Sequence, residues 1–280
     1  MNGLRFLLLI ISFSFLGCTH LFYHPSQREY VDVSKLEIQP QEIEITDEGG
    51  EKISAWLFKP AQGKAKARLI FFHGNAENIT SHFRALYWIL YEGYEFLIFD
   101  YPGYGKSSGK PTPQSTTQSG REVLRWTAAQ KDSPPLAVFG QSLGGNIALY
   151  SVIHEKEVPL CMVAVESTFK SYRKVAQRVA GRHWLTWLLQ PLAYVVMTDA
   201  YAAGERIAEI APTPLLVMHG EADTIVDIRN GEDVFAAAES PKEFWRVPGG
   251  YHIQAFFGEK GLDFRQRFIG FLEQSCVKKK

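Results

Sequence analysis

The sequence predicts a single doubly wound α/β domain with a mostly parallel sheet, an antiparallel entry hairpin and a small helical cap insertion. Two observations carry this. Short apolar runs without polar alternation recur along the chain, as strands buried on both faces read, and helical patterns fall between them. One interval of nearly fifty residues, between Glu166 and Pro214, breaks that rhythm with a segment rich in large apolar side chains.

The elements follow in order. EIEIT (Glu42–Thr46) and ISAWLFKP (Ile53–Pro60), separated by Asp47-Glu48-Gly49-Gly50, form a hairpin. RLIFFHG (Arg68–Gly74) is a continuous apolar strand. Ile79–Glu92 carries Phe83, Leu86, Tyr87 and Leu90 at helical spacing. EFLIFD (Glu95–Asp100) is a strand, 113–130 a helix, PLAVFG (Pro135–Gly140) a strand, Leu143–Glu155 a helix and PLCMVAVE (Pro159–Glu166) a strand. PLLVMHG (Pro214–Gly220), a helix through Val234, the strand KEFWRVP (Lys242–Pro248) and a helix over about Leu262–Gln274 complete the domain. The expected boundaries are 1–17 for a signal peptide, 18–41 for a polar connector, 42–274 for the α/β domain with its insertion at about 168–211, and 275–280 for a charged tail. Most of the insertion's apolar residues are expected to pack against the sheet domain and one another.

Composition narrows the class. The chain is 46% apolar and 21% charged with no net charge, which argues against disorder and against a fully membrane-embedded protein. No basic stripe with interleaved aromatics occurs, so nucleic acid is not an expected partner. The three cysteines include no C-x-x-C pair, and no H-E-x-x-H occurs, so no metal or other cofactor is expected. Cys161 lies in an apolar run and reads as a core residue, while its pairing with Cys276 stays open.

The candidate chemistry sits in VFGQSLGGNIAL (Val138–Leu149), where a strand turns into a helix. Gly140 and Gly144 stand two positions either side of Ser142, giving G-x-S-x-G in a strand–turn–helix context. A sharp turn there exposes one strained residue at the carboxyl edge of the sheet, where ligands of such sheets bind. Serine needs a base. Of eight histidines, His252 lies in the glycine-rich loop PGGYHIQ after the last strand and is the candidate; His73 and His219 read as turn histidines, and His82, His154 and His183 as surface or capping residues. Asp223 in HGEADTIV is the candidate acid, with Glu221 and Asp227 as local competitors. The amides of Leu143 and of Asn75, or alternatively Ala76, are the candidate oxyanion donors. Trp187 and Leu188 of the insertion are candidate substrate contacts lining an acyl pocket.

With these residues in place, HGNAEN, DYPGYGKSSG, GQSLGG, ESTF, HGEAD and GGYH occur in the order of the α/β-hydrolase superfamily, and the chain resembles its serine aminopeptidase-like and abhydrolase-type serine hydrolases from about Glu42 to Gln274. The resemblance implies hydrolysis of a carboxylic ester or thioester, of a small molecule or lipid, through an acyl-enzyme. A serine peptidase and a non-catalytic lipid-anchored binding module are the alternatives. The first residues add a second resemblance. Arg5 precedes the apolar run Phe6–Leu16, and Gly17-Cys18 follows, as in the lipobox of bacterial lipoproteins; Phe15 stands where that pattern has leucine. This implies export, lipid attachment at Cys18 and, from Thr19, an outer-membrane location facing the periplasm. An ordinary cleaved signal and an uncleaved anchor are the plainer readings.

Overall fold

The computed structural model describes Thr19, residues 22–182 and residues 184–278. The expected signal peptide, Cys18, His20, His183 and the last two lysines lie outside them.

Eight strands form one sheet: β1 Gln41–Thr46, β2 Lys52–Phe58, β3 Arg68–Phe72, β4 Glu95–Phe99, β5 Leu136–Gln141, β6 Leu160–Glu166, β7 Leu215–Gly220 and β8 Lys242–Val247. Their spatial order is β8-β7-β6-β5-β3-β4-β2-β1. Only the pairings of β2, with β1 and β4, are antiparallel. β3 through β7 are continuous apolar runs because both faces are covered. On β3, Ile70 and Phe72 enter one core while Leu69 and Phe71 enter the other, as the two-residue period of a strand requires. The first core packs helices α1 (Pro113–Ala128), α2 (Leu143–His154) and α5 (Arg229–Ala237). The second packs residues 79–92 and α6 (Gly261–Leu272). α1 starts on a reciprocal cap: Thr112 Oγ1 accepts the Ser115 N–H, Ser115 Oγ accepts the Thr112 N–H, and Pro113 occupies the first turn.

Three expectations are corrected. Residues 79–92 form one α-helical turn, Ile79–His82, followed by 3₁₀ turns at Phe83–Ala85 and Tyr87–Glu92. Their apolar spacing buries Phe83, Leu86 and Leu90 as anticipated, but nine of the fourteen residues are aromatic, β-branched, Ser or His, of lower helix propensity. The connector packs on the domain: Tyr23 is buried with its hydroxyl 2.9 Å from that of Tyr172, and His24–Pro25 pairs in parallel with Ala76–Glu77. Cys161 is half-buried and disulfide-bonded to Cys276, joining β6 to the turn after α6.

The insertion differs most. It holds α3 (Tyr172–Ala180), α4 (Leu192–Val196) and short 3₁₀ turns at Trp187–Leu189 and Gly204–Ile210. Between residues 184 and 195 its large apolar side chains face outward instead of burying themselves. Eight of the fifteen exposed large apolar side chains among the described residues fall there, with Trp184 at 84% and Leu188 at 76% exposure. Turns this short, apolar on all sides, have no opposite polar face to present to solvent while the apolar one packs down.

Candidate active site

Every candidate side chain of the hydrolytic group comes from the carboxyl edge of the parallel strands. Ser142 follows β5, Asp223 lies three residues beyond β7, and His252 five beyond β8. Ser142 has φ 54° and ψ −122°, a left-handed conformation that a non-glycine residue adopts only at a cost. The close packing around it explains the flanking glycines. A Cβ on Gly144 would lie 2.1 Å from the His73 carbonyl oxygen, and one on Gly140 would lie 2.7 Å from the Cα of Gly145. Ser167 and Ile253 also have positive φ, 52° and 50°, so backbone strain gathers at this edge.

The structure brings Ser142, His252 and Asp223 into one hydrogen-bonded chain. Ser142 Oγ lies 2.9 Å from His252 Nε2, and His252 Nδ1 lies 2.8 Å from Asp223 Oδ2. Burial opposes the charge of Asp223, but the adjacent His219 and the hydrogen-bonded His252 outweigh it and hold the carboxyl well below the usual range. An ionised carboxylate accepts only, so it takes the Nδ1–H of His252 and leaves the Nε2 lone pair facing the serine hydroxyl. Asp223 Oδ1 is fixed in turn by the N–H groups of Ile225 and Val226, each at 2.9 Å.

The competing residues are occupied elsewhere. Asp227 pairs with Arg229 and accepts its N–H at the start of α5. His219 Nε2 is 3.5 Å from Asp223 Oδ2 but has the Val226 carbonyl at 2.7 Å. His73 is fully buried, its Nδ1 2.8 Å from the Gly74 carbonyl, and burial keeps its pKa well below the ordinary value. His82 is packed against that ring at 5.0 Å rather than placed on a free surface.

The loop of residues 73–78 runs beside Ser142. A Cβ on Gly74 would sit 3.8 Å from that of Ser142, an ordinary contact, so the missing side chain leaves space open there rather than relieving a clash. The connector pins this loop: Asn75 Oδ1 accepts the His24 N–H at 2.9 Å, and Asn78 Nδ2 donates to the carbonyls of Ser26 and Arg28. Tyr101 donates to the His73 carbonyl at 3.0 Å. Asn75 thus has a fixed position, and Leu143 opens α2, where N–H groups lack intrahelical acceptors. Trp187 and Leu188 are 58% and 76% exposed, which favours an open face over an enclosed acyl pocket.

Sequence reasoning missed the group that ties the serine and histidine loops together. Glu166 Oε2 accepts the Gln141 side-chain N–H at 2.7 Å, and Oε1 accepts the Ala255 N–H at 2.7 Å. Its backbone carbonyl takes the Ser142 N–H, Thr168 donates to the Ser142 carbonyl, and the Ile253 N–H donates to Ser167 Oγ. The available signal was a polar run, Glu166-Ser167-Thr168, ending an apolar strand. No cluster of three or more His, Cys, Asp or Glu suited to a metal occurs among the described residues.

Strand order, crossover helices and the strained turn after β5 define the α/β-hydrolase fold. The esterase Pf2001 of Pyrococcus furiosus shares it, with a TM-score of 0.71 over 91% of this chain and 98% of that one at 18% identity. Residues 63–199 match the family model described as Serine aminopeptidase, S33. The uncharacterized protein YfhR of Salmonella typhi is 29% identical over 273 residues, covering 92% of this chain and 89% of that protein. Lysophosphatidylserine lipase ABHD12 of Macaca fascicularis is 27% identical over 256 residues, covering 83% of this chain and 62% of that protein. These likenesses and the fold support a serine hydrolase of the α/β-hydrolase kind.

Proposed function

We propose that the protein hydrolyses carboxylic esters or thioesters through an acyl-enzyme on Ser142. The observation that supports this most is the unbroken Ser142–His252–Asp223 hydrogen-bond chain at a strained strand-to-helix turn. In this reading His252 Nε2 takes the Ser142 proton as Oγ attacks the carbonyl carbon. Asp223 steadies the resulting imidazolium. The N–H groups of Leu143 and Asn75 receive the oxyanion, a donor pair of which each member contributes about 3–4 kcal/mol in such sites. His252 returns the proton to the leaving alcohol or thiol; it then activates water, whose attack releases the acid and restores the serine. The names of the Pf2001 esterase and the ABHD12 lipase favour ester substrates, whereas the matched family model is named for a peptidase. A panel of p-nitrophenyl acyl esters and aminoacyl p-nitroanilides decides between them: ester turnover alone is expected, and anilide turnover with inert esters would make the protein a peptidase.

We further propose that it acts outside the cytoplasm, anchored by lipid on Cys18. The Cys161–Cys276 disulfide supports this, because such bonds persist in oxidising compartments. A clickable fatty acid should label the native chain and not Cys18→Ala; equal labelling would refute the anchor.

A further inference from the structure

The exposed apolar face of the cap has no place in the hydrolytic mechanism. Between Arg182 and Asp199 the chain contains no Asp, Glu, Lys or Arg, yet it exposes Trp184, Leu185, Leu188 and Val195 by two-thirds or more. The basic residues leading into it turn back onto the protein. Arg178 bonds Asn230 and Asp233, Arg173 donates to the Met197 carbonyl, and Arg182 donates to the Thr224 carbonyl. A contiguous apolar surface of this kind marks a docking site, and one without charges suits hydrocarbon better than a protein partner with a polar rim.

Two further features say what covers it. Thr19, the first described residue, is buried against the cap: the Thr198 N–H donates to Thr19 Oγ1 at 3.0 Å, two residues beyond α4. Cys18, the proposed lipid-bearing residue, precedes Thr19 directly, so its lipid would start beside the cap. The segment leading into the cap also meets a loop of the hydrolytic group. Arg182 touches the Asp223 loop, whose Ile225 is 60% exposed, and Tyr251 beside His252 is 58% exposed.

We propose that the cap face, with Ile225 and Tyr251 at its edge, inserts into the interfacial layer of a phospholipid bilayer. The mouth of the site is thereby turned to the membrane, so that the ester substrate is itself a lipid. The substrate clause rests on the hydrolase reading above; the docking does not. Aromatic side chains beside aliphatic ones are suited to this layer. Among the described residues, Arg173, Lys174, Arg178 and Arg182 are all engaged by the protein, so docking needs no anionic lipid.

Tryptophan depth tests it. The full chain is reconstituted into phosphatidylcholine vesicles with or without lipid brominated on its acyl chains. Bromolipid should dim the native emission and that of Ser142→Ala equally. It should leave a Trp184→Phe/Trp187→Phe variant almost unchanged, because its remaining tryptophans lie within the domain. A Leu185→Ser/Val195→Ser variant, which keeps both tryptophans, should lose much of the quenching. Equal quenching of the native chain and the Trp184→Phe/Trp187→Phe variant would overturn the proposal. So would a native chain whose Trp184 and Trp187 are quenched by aqueous acrylamide but not by bromolipid, showing a bare face. Protection from both quenchers would also overturn it, by showing the face covered by a second copy or by residues 1–17.

Discussion

Glu166 holds the Ser142 and His252 loops with one carboxyl group, each oxygen serving a different loop. Burial pushes its pKa up. A raised value stabilises the fold fully below the ordinary carboxylate pKa, and that contribution is lost as pH rises through the folded value. Glu166→Gln keeps the shape and removes the titration, but its amide cannot accept from both Gln141 and Ala255. Displacing the Ser142 and His252 loops by a fraction of an ångström should lower kcat by about 10- to 100-fold. If Glu166 positions the loops, kcat should fall more than KM rises, and the variant should melt with less decline between mildly acidic and neutral pH than the native protein. Unchanged kcat would leave Glu166 as packing. Ser142, His252 and Asp223 could be picked out in the sequence because a glycine-flanked serine, a histidine after the last strand and an acid after the preceding one each sit at a predictable strand end. Glu166 could not, because a lone acid closing an apolar strand also reads as the start of a turn. The grip of His24 on Asn75 was equally hidden, spanning 51 residues of sequence.

Elements buried on both faces were the most legible. β3 to β7 read directly from uninterrupted apolar runs, and their ends fell within two residues of expectation. Residues 79–92 show the limit of periodicity. Helical spacing selects which side chains face inward, and successive 3₁₀ turns also bring Phe83, Leu86 and Leu90 to one side. The cap was misread for a related reason. An apolar segment is expected to bury itself, and the pattern does not state against what. In this chain α3 buries Tyr172 and Val175, while residues 184–195 leave most of their apolar surface outward. Leu185 and Val195 therefore differ from Val175 in partner and not in hydrophobicity.

At the scale of the molecule, the spatial order of the strands and the Cys161–Cys276 link were not legible. Both depend on which distant segments become neighbours, and the two cysteines stand 115 residues apart. What the whole fold adds is convergence: three loops from β5, β7 and β8 meet at one edge, with the N-terminal segment and cap beside them. The central claim is that this edge makes Ser142 a nucleophile. Treating the native chain with a fluorophosphonate and mapping the adduct by peptide mass spectrometry tests it most directly. The adduct should sit on the peptide containing Ser142. It should be absent from folded Ser142→Ala, whose ester turnover should fall by about four orders of magnitude. An adduct on another residue, or native-like ester hydrolysis by Ser142→Ala, would contradict the account.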